Sequence, residues 1–132
     1  MSQNQLKVVV IEDEVMTQNL LRLVIQKFGH EVVAIYNNYE DAVQYITSKI
    51  VDVIISDIRI QGMDGVRGAE MLREALNTPI VFYSGMQSDV LLEKIEQMGN
   101  TAFVSKTANP EELREAIEEV TASFFVKHLK HH

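Results

Sequence analysis

A chain of 132 residues amounts to one domain, able to bury about two-thirds of its unfolded surface around a single core. Hydrophobic residues make up 46% and aromatic residues 7%, an ordinary globular composition rather than a disordered one. The net charge of −7, with no run of Lys or Arg, argues against duplex nucleic acid or an anionic membrane as a direct partner, and the absence of cysteine excludes disulfides, thiolate zinc sites and thiol nucleophiles.

Short apolar runs alternate with longer periodic segments. Residues 6–11 are β-rich and almost wholly apolar. Residues 16–28 place apolar side chains at 20, 21, 24, 25 and 28, a helical spacing that Gly29 ends. Glu14 reads as the acidic first turn of that helix, and His30 as a structural residue at the turn into a second strand, 31–36. Asn38 opens the next helix, with Glu40 and Asp41 in its first turn, and the helix runs to about Ser48.

Residues 51–56 form a third strand and 65–76 a helix weakened by the internal Gly68. A fourth strand covers 80–83. Ser88 caps a helix through Met98 that Gly99 terminates. A short fifth strand covers 102–104. Asn109-Pro110-Glu111-Glu112 then supplies an N-cap, a proline at the first helical position and a capping-box acid. Leu113, Ala116, Ile117, Val120 and Phe124 give the last helix its apolar stripe. The adjoining Phe124-Phe125-Val126 cluster suits either the core or a partner surface. Residues 128–132, of native or added origin, are set apart as a tail.

Strands apolar on both faces and separated by helices imply a five-stranded parallel sheet covered on both sides. The N-terminal segment lacks a basic region followed by a long apolar stretch, and no window approaches the ~18 apolar residues of a membrane span, so a soluble cytoplasmic protein is expected.

In open α/β sheets, sites gather at the carboxyl ends of strands. Here the first strand is followed by Glu12-Asp13-Glu14, the third by Asp57, the fourth by Ser84-Gly85 and the fifth by Ser105-Lys106. The second ends in Asn37-Asn38, as a peripheral strand would. Parallel packing brings Glu12, Asp13, Asp57, Ser84 and Lys106 to one edge. Two carboxylates ~5 Å apart repel by roughly 3 kcal/mol at an effective dielectric near 20. Three in one cleft raise a pKa or recruit a hard cation such as Mg²⁺. With Lys106 as a fixed positive charge and Ser84 as a hydroxyl donor, the set suits phosphoryl transfer, with Asp57 as nucleophile. Taken singly, each residue has a plainer reading: Asp57 a loop acid, Ser84-Gly85 a turn, Lys106 a solvated lysine.

Four elements in this order resemble a response-regulator receiver domain of two-component signalling, over most of the chain from Leu6 to Val120. The family pattern is an acidic pair after strand one, Asp after strand three, Ser or Thr after strand four and Lys after strand five. Glu12-Asp13, Asp57, Ser84 and Lys106 match it. The resemblance implies a flavodoxin-like (βα)5 fold of strand order 2-1-3-4-5, with residues 1–127 as one receiver domain.

It further implies that Asp57 accepts a phosphoryl group from a histidine kinase or a histidine-phosphotransfer protein. Mg²⁺ would be held by Asp13, Asp57 and the backbone carbonyl of Arg59, with Glu12 acting mainly through water. Ser84 would swing toward the phosphoryl group. Phe103 stands where the family carries its switch aromatic, although an aromatic on a short strand also serves a core. Arg59 and Met86, two residues past Asp57 and Ser84, would tune hydrolysis. The output surface would be the fourth helix, fifth strand and fifth helix, acting on a downstream protein as a monomer or a phosphorylation-dependent dimer. Gln61 and Thr107 stand where the family usually has proline.

Two versions of this reading stay open: a stand-alone receiver, since little chain follows the fifth helix, or a receiver excised from a larger regulator or hybrid kinase. Two other classes compete. An Asp-nucleophile phosphatase would want a general acid two residues past the nucleophile, where Arg59 stands and cannot serve. A flavin mononucleotide binder would want a glycine- and hydroxyl-rich phosphate loop after the first strand, where Glu12-Asp13-Glu14 would repel phosphate.

Overall fold

The computed structural model describes residues 5–58, 65–85 and 89–129. Strands and helices alternate as β1 (Lys7–Ile11), α1 (Val15–Lys27), β2 (Glu31–Tyr36), α2 (Tyr39–Ser48), β3 (Val53–Ser56), α3 (Gly65–Ala75), β4 (Ile80–Ser84), α4 (Asp89–Met98), β5 (Thr101–Ser105) and α5 (Pro110–Leu129). The strands form one five-stranded parallel sheet in the order β2-β1-β3-β4-β5. This is the flavodoxin-like α/β architecture, with β2 and β5 at the edges.

The two-residue period of the strands divides the core. Val9, Ile11, Ile54, Ile80 and Phe82 face α2, α3 and α4, where they meet Ala42, Ile46, Ala69, Leu72, Leu91 and Ile95. Val8, Val10, Val53, Ile55, Val81 and Tyr83 face α1 and α5, against Leu21, Ile25, Leu113, Ile117 and Val120. β1, β3 and β4 are therefore apolar on both sides because both sides are covered.

Helix ends follow local chemistry. The Asn38 side chain accepts the Asp41 backbone N–H at 2.8 Å, and Asn109 Oδ1 accepts that of Glu112 at 3.1 Å. Gly29 and Gly99 leave α1 and α4 with φ of 92° and 76°. Ser88 lies outside the described residues. On α1 the core contacts come from Leu21 and Ile25, while Leu20 and Leu23 are more than half solvent-facing or at that limit, at 50% and 62% exposure. The apolar spacing that marks this helix is thus wider than the face it buries. α5 runs to Leu129, past residue 127, where the sequence suggested a tail. At the amino-terminal end of the sheet, Arg73 donates to the carbonyls of Leu76, Thr78, Gly99 and Asn100, fastening the turn before β4 to the turn before β5.

His30 is a structural residue, as its position suggested. Its Nδ1 accepts the Leu6 N–H at 3.1 Å, while Nε2 is buried without a hydrogen-bond partner. Burial lowers its pKa below the ordinary 6.5, against the opposing pull of Glu118 and Asp52. A proton on Nδ1 would also face the Leu6 N–H. The folded state therefore binds this proton less readily than the unfolded chain. Its stabilising share is complete above pH 6.5 and falls as pH drops through that value toward the lower folded pKa. Urea midpoints measured at decreasing pH should fall more steeply for the wild type than for His30→Gln in this window; parallel curves would exclude the effect.

Candidate functional site

Three of the candidate side chains start from a backbone position fixed by the neighbouring strand. The Glu12 N–H donates to the Tyr36 carbonyl at 2.8 Å, the Asp57 N–H to that of Ile11 at 2.9 Å and the Lys106 N–H to that of Ser84 at 3.0 Å. The parallel ladder thus continues one residue beyond the strands, and these three candidate residues are the ones it holds there. Ser56 pairs with Ile11 on one side and Phe82 on the other, so the ends of β1, β3 and β4 lie on one edge.

At that edge Glu12, Asp13 and Asp57 each offer a carboxylate oxygen, all within 4.8 Å of one another. Lys106 Nζ lies 2.9 Å from both Glu12 Oε1 and Asp57 Oδ2. With Asp57 it makes an aligned hydrogen bond. With Glu12 Oε1, the contact is an ion pair by distance without hydrogen-bond alignment. Glu12 Oε2 accepts the Glu14 N–H at 3.0 Å, and the Gln18 side chain donates to the Glu12 carbonyl at 2.6 Å.

Glu12 is 1% exposed, whereas Asp13 faces solvent. Burial pushes the Glu12 carboxyl above its ordinary pKa, against the lowering pull of Lys106. Burial also pulls the Lys106 ammonium down, but Glu12 and Asp57 together outweigh it and hold the group above its ordinary value. The lysine is a fixed cation shared by two carboxylates. The donor set fits a hard divalent ion: it consists of oxygens alone, and one buried Glu12 oxygen has no hydrogen-bond partner.

The structure thus gathers Glu12, Asp13, Asp57 and Lys106. Ser84 ends β4, 2% exposed, and its carbonyl holds the Lys106 backbone. Phe103 lies on β5 opposite Phe82, half-buried, against the core layer of α2, α3 and α4. Arg59 and Met86 lie outside the described residues. Glu14 is the N-cap position of α1 and accepts the Thr17 hydroxyl, a local role.

One residue escaped sequence reasoning. Tyr39, at the first position of α2, donates its hydroxyl to the Asp57 carbonyl at 2.6 Å, with the Ile58 carbonyl at 3.1 Å. Its apolar body hides in the pattern of an amphipathic helix, and no sequence spacing connects it to a strand end.

Residues 8–118 match the response regulator receiver domain family. The transcriptional regulatory protein YvrH of Bacillus subtilis (strain 168) is 26% identical over 106 residues, covering 80% of this chain and 45% of that protein. The aerobic respiration control protein ArcA of Escherichia coli (strain K12) is 29% identical over 108 residues, covering 80% and 44%. The chain spans under half the length of these curated relatives. Among solved structures, a LuxR-family DNA-binding response regulator from Staphylococcus aureus superposes with a TM-score of 0.75 at 27% identity, over 88% of this chain and 98% of that one. Since the family match runs from β1 into α5 and the fold agrees with it, the chain belongs to the response regulator receiver domain family, a signalling module of two-component systems rather than an enzyme.

Proposed function

We propose that this domain is a phosphorylation switch in which Asp57 accepts a phosphoryl group from a phosphohistidine of a histidine kinase or histidine-phosphotransfer protein. The observation that carries the reading is the meeting of three carboxylates with one lysine, Lys106 Nζ lying 2.9 Å from both Glu12 and Asp57. An Asp57 carboxylate oxygen attacks the phosphorus of a phosphohistidine protonated on its other ring nitrogen, a P–O bond forms as the P–N bond breaks, and the histidine leaves as neutral imidazole, keeping that proton. Lys106 neutralises charge on the transferred oxygens. Asp13 and Asp57, with Glu12 largely through water and the Arg59 carbonyl, would hold Mg²⁺. When bound, the ion supplies charge neutralisation at the phosphoryl oxygens.

Ser84 and Phe103 carry the change outward in this reading. Ser84 follows the phosphoryl group, and Phe103 reports it to the surface of α4, β5 and α5, where a downstream protein binds. The phosphoryl charge can shift the equilibrium only by its differential contacts in the two states. The cytoplasm, where phosphohistidine donors present their histidines, is the expected compartment. Among the described residues no helix is long and apolar enough to cross a membrane.

Incubation with acetyl phosphate and Mg²⁺ followed by intact mass should show a gain of one phosphoryl group, absent in Asp57→Asn and with chelator. A gain that persists in Asp57→Asn would mean another acceptor. Replacing the fixed cation in Lys106→Met should slow the same reaction by about 10²-fold, as removal of one charge-stabilising donor does elsewhere; an unchanged rate in quench-flow would remove Lys106 from the chemistry. In Asp13→Asn the loss of one anionic ligand should raise the Mg²⁺ dissociation constant at least about tenfold in calorimetry. An unaltered constant would take Asp13 out of the ligand set.

A further inference from the structure

Among the described residues the ladder at the end of β3 holds the chain as far as the Asp57 N–H, and the direction of the Asp57 side chain depends also on the peptide that follows it. On its amino side Asp57 is tied by its N–H to the Ile11 carbonyl at 2.9 Å. On its carboxyl side the carbonyl receives two hydroxyls: Tyr39 at 2.6 Å and Ser56 at 2.7 Å. Tyr39 is 2% exposed, so its hydroxyl is withdrawn from water, and the Ile58 carbonyl at 3.1 Å is its other acceptor. The tyrosine is itself anchored, because Asn38 caps α2 one residue earlier through the Asp41 N–H at 2.8 Å.

The ring reaches this position across α3. A Cβ on Gly68 would lie 2.4 Å from Tyr39 Cε2, 2.6 Å from Cζ and 2.8 Å from the hydroxyl oxygen. Such contacts leave no room for any side chain. A helix-interior glycine, unfavourable by propensity, is thus the space through which a distant tyrosine reaches the main chain beside Asp57.

We propose that Tyr39 is a positioning residue for Asp57: its buried hydroxyl, seated in the gap left by Gly68, clamps the Asp57 carbonyl and so sets the direction in which the Asp57 carboxylate meets a divalent ion. This rests on the reading of Asp57 as a magnesium ligand. A tyrosine that merely filled the core would contribute its ring alone. The hydroxyl, aimed at a backbone carbonyl at the edge of the acidic cluster, points to the second task. Groups that orient a metal ligand are worth about 10- to 100-fold in affinity.

The test uses the full chain and Mg²⁺ alone, titrated by calorimetry and by amide chemical shifts, with thermal midpoints measured alongside. Tyr39→Phe keeps the ring and removes the donor. It should raise the magnesium dissociation constant about tenfold. Ile95→Val, which trims a methylene in the same core layer, should lower the midpoint and leave magnesium affinity unchanged. Gly68→Ala, which displaces the ring, should weaken binding too, and should add little in the Tyr39→Phe background because both act through one hydroxyl. Wild-type affinity in Tyr39→Phe, or fully additive losses in the double variant, would overturn the proposal while leaving the acidic site intact. A wild type that binds no magnesium would instead bring down the reading on which it rests.

Discussion

The Lys106 ammonium, held between Glu12 and Asp57, is the interaction on which the site depends. At an effective dielectric of 20, carboxylate oxygens at the outer limit of 4.8 Å repel by roughly 3.5 kcal/mol, and an ammonium 2.9 Å from each attracts by roughly 6 kcal/mol. One lysine therefore more than offsets the repulsion of the pair it touches. Asp13, the third carboxylate, is exposed, and solvent screens its charge. These four side chains set three carboxylates against one ammonium, with oxygen donors alone on the acidic side, a composition that suits a hard cation. Had Glu12 been as exposed as Asp13, water could have relieved the strain. Its burial, at 1% exposure, makes the remedy an ion or a proton.

The backbone makes this crowding possible. Unlike charged residues drawn together by flexible side chains, Glu12, Asp57 and Lys106 are the first residues after β1, β3 and β5, each tied by its N–H to the neighbouring strand's last carbonyl. The cost of assembling like charges is met by the packing of two apolar layers against a sheet that cannot shift register without turning its core residues outward. Stability is therefore made in the layers and spent at the edge. The same division explains why the amino-terminal end carries neutral His30 and the multiply bonded Arg73 rather than chemistry.

Much of this was legible because its signals are local. Strand runs, the Asn38 and Asn109 caps, and the Gly29 and Gly99 stops reappear as structure, since each depends on residues within a few positions. The convergence of Glu12, Asp13, Asp57 and Lys106 was legible for a topological reason: in a parallel sheet, strand ends meet whatever their separation along the chain. What stayed hidden was long-range and side-chain specific. Leu20 fits a helical stripe by spacing, but α1 presses a narrower face on the sheet than the stripe offers. Gly68 reads as a weak point of α3 until Tyr39 is found in the space beside it, and no period relates positions so far apart. The extent of Glu12 burial was likewise invisible, because an acid after a strand reads the same whether covered or open.

On the proposed reading, the resting geometry also sets where a signal must leave. A phosphoryl group on Asp57 would replace one carboxylate charge by about two negative charges within reach of Lys106. The ammonium, shared in the resting state between Glu12 and Asp57, would be drawn toward the new oxygens, leaving buried Glu12 less compensated. The Lys106 backbone is tied to the Ser84 carbonyl, and β5 is an edge strand with one strand neighbour among the described residues, so on this reading the least resisted response would lie there. β1 and β3 are held on both sides and have no comparable freedom. Phe103, half-buried on that edge strand and opposite Phe82, is the large side chain that would move with it on the proposed reading. The asymmetry between a sheet centre that cannot yield and an edge that can is enough to give one shared lysine a direction.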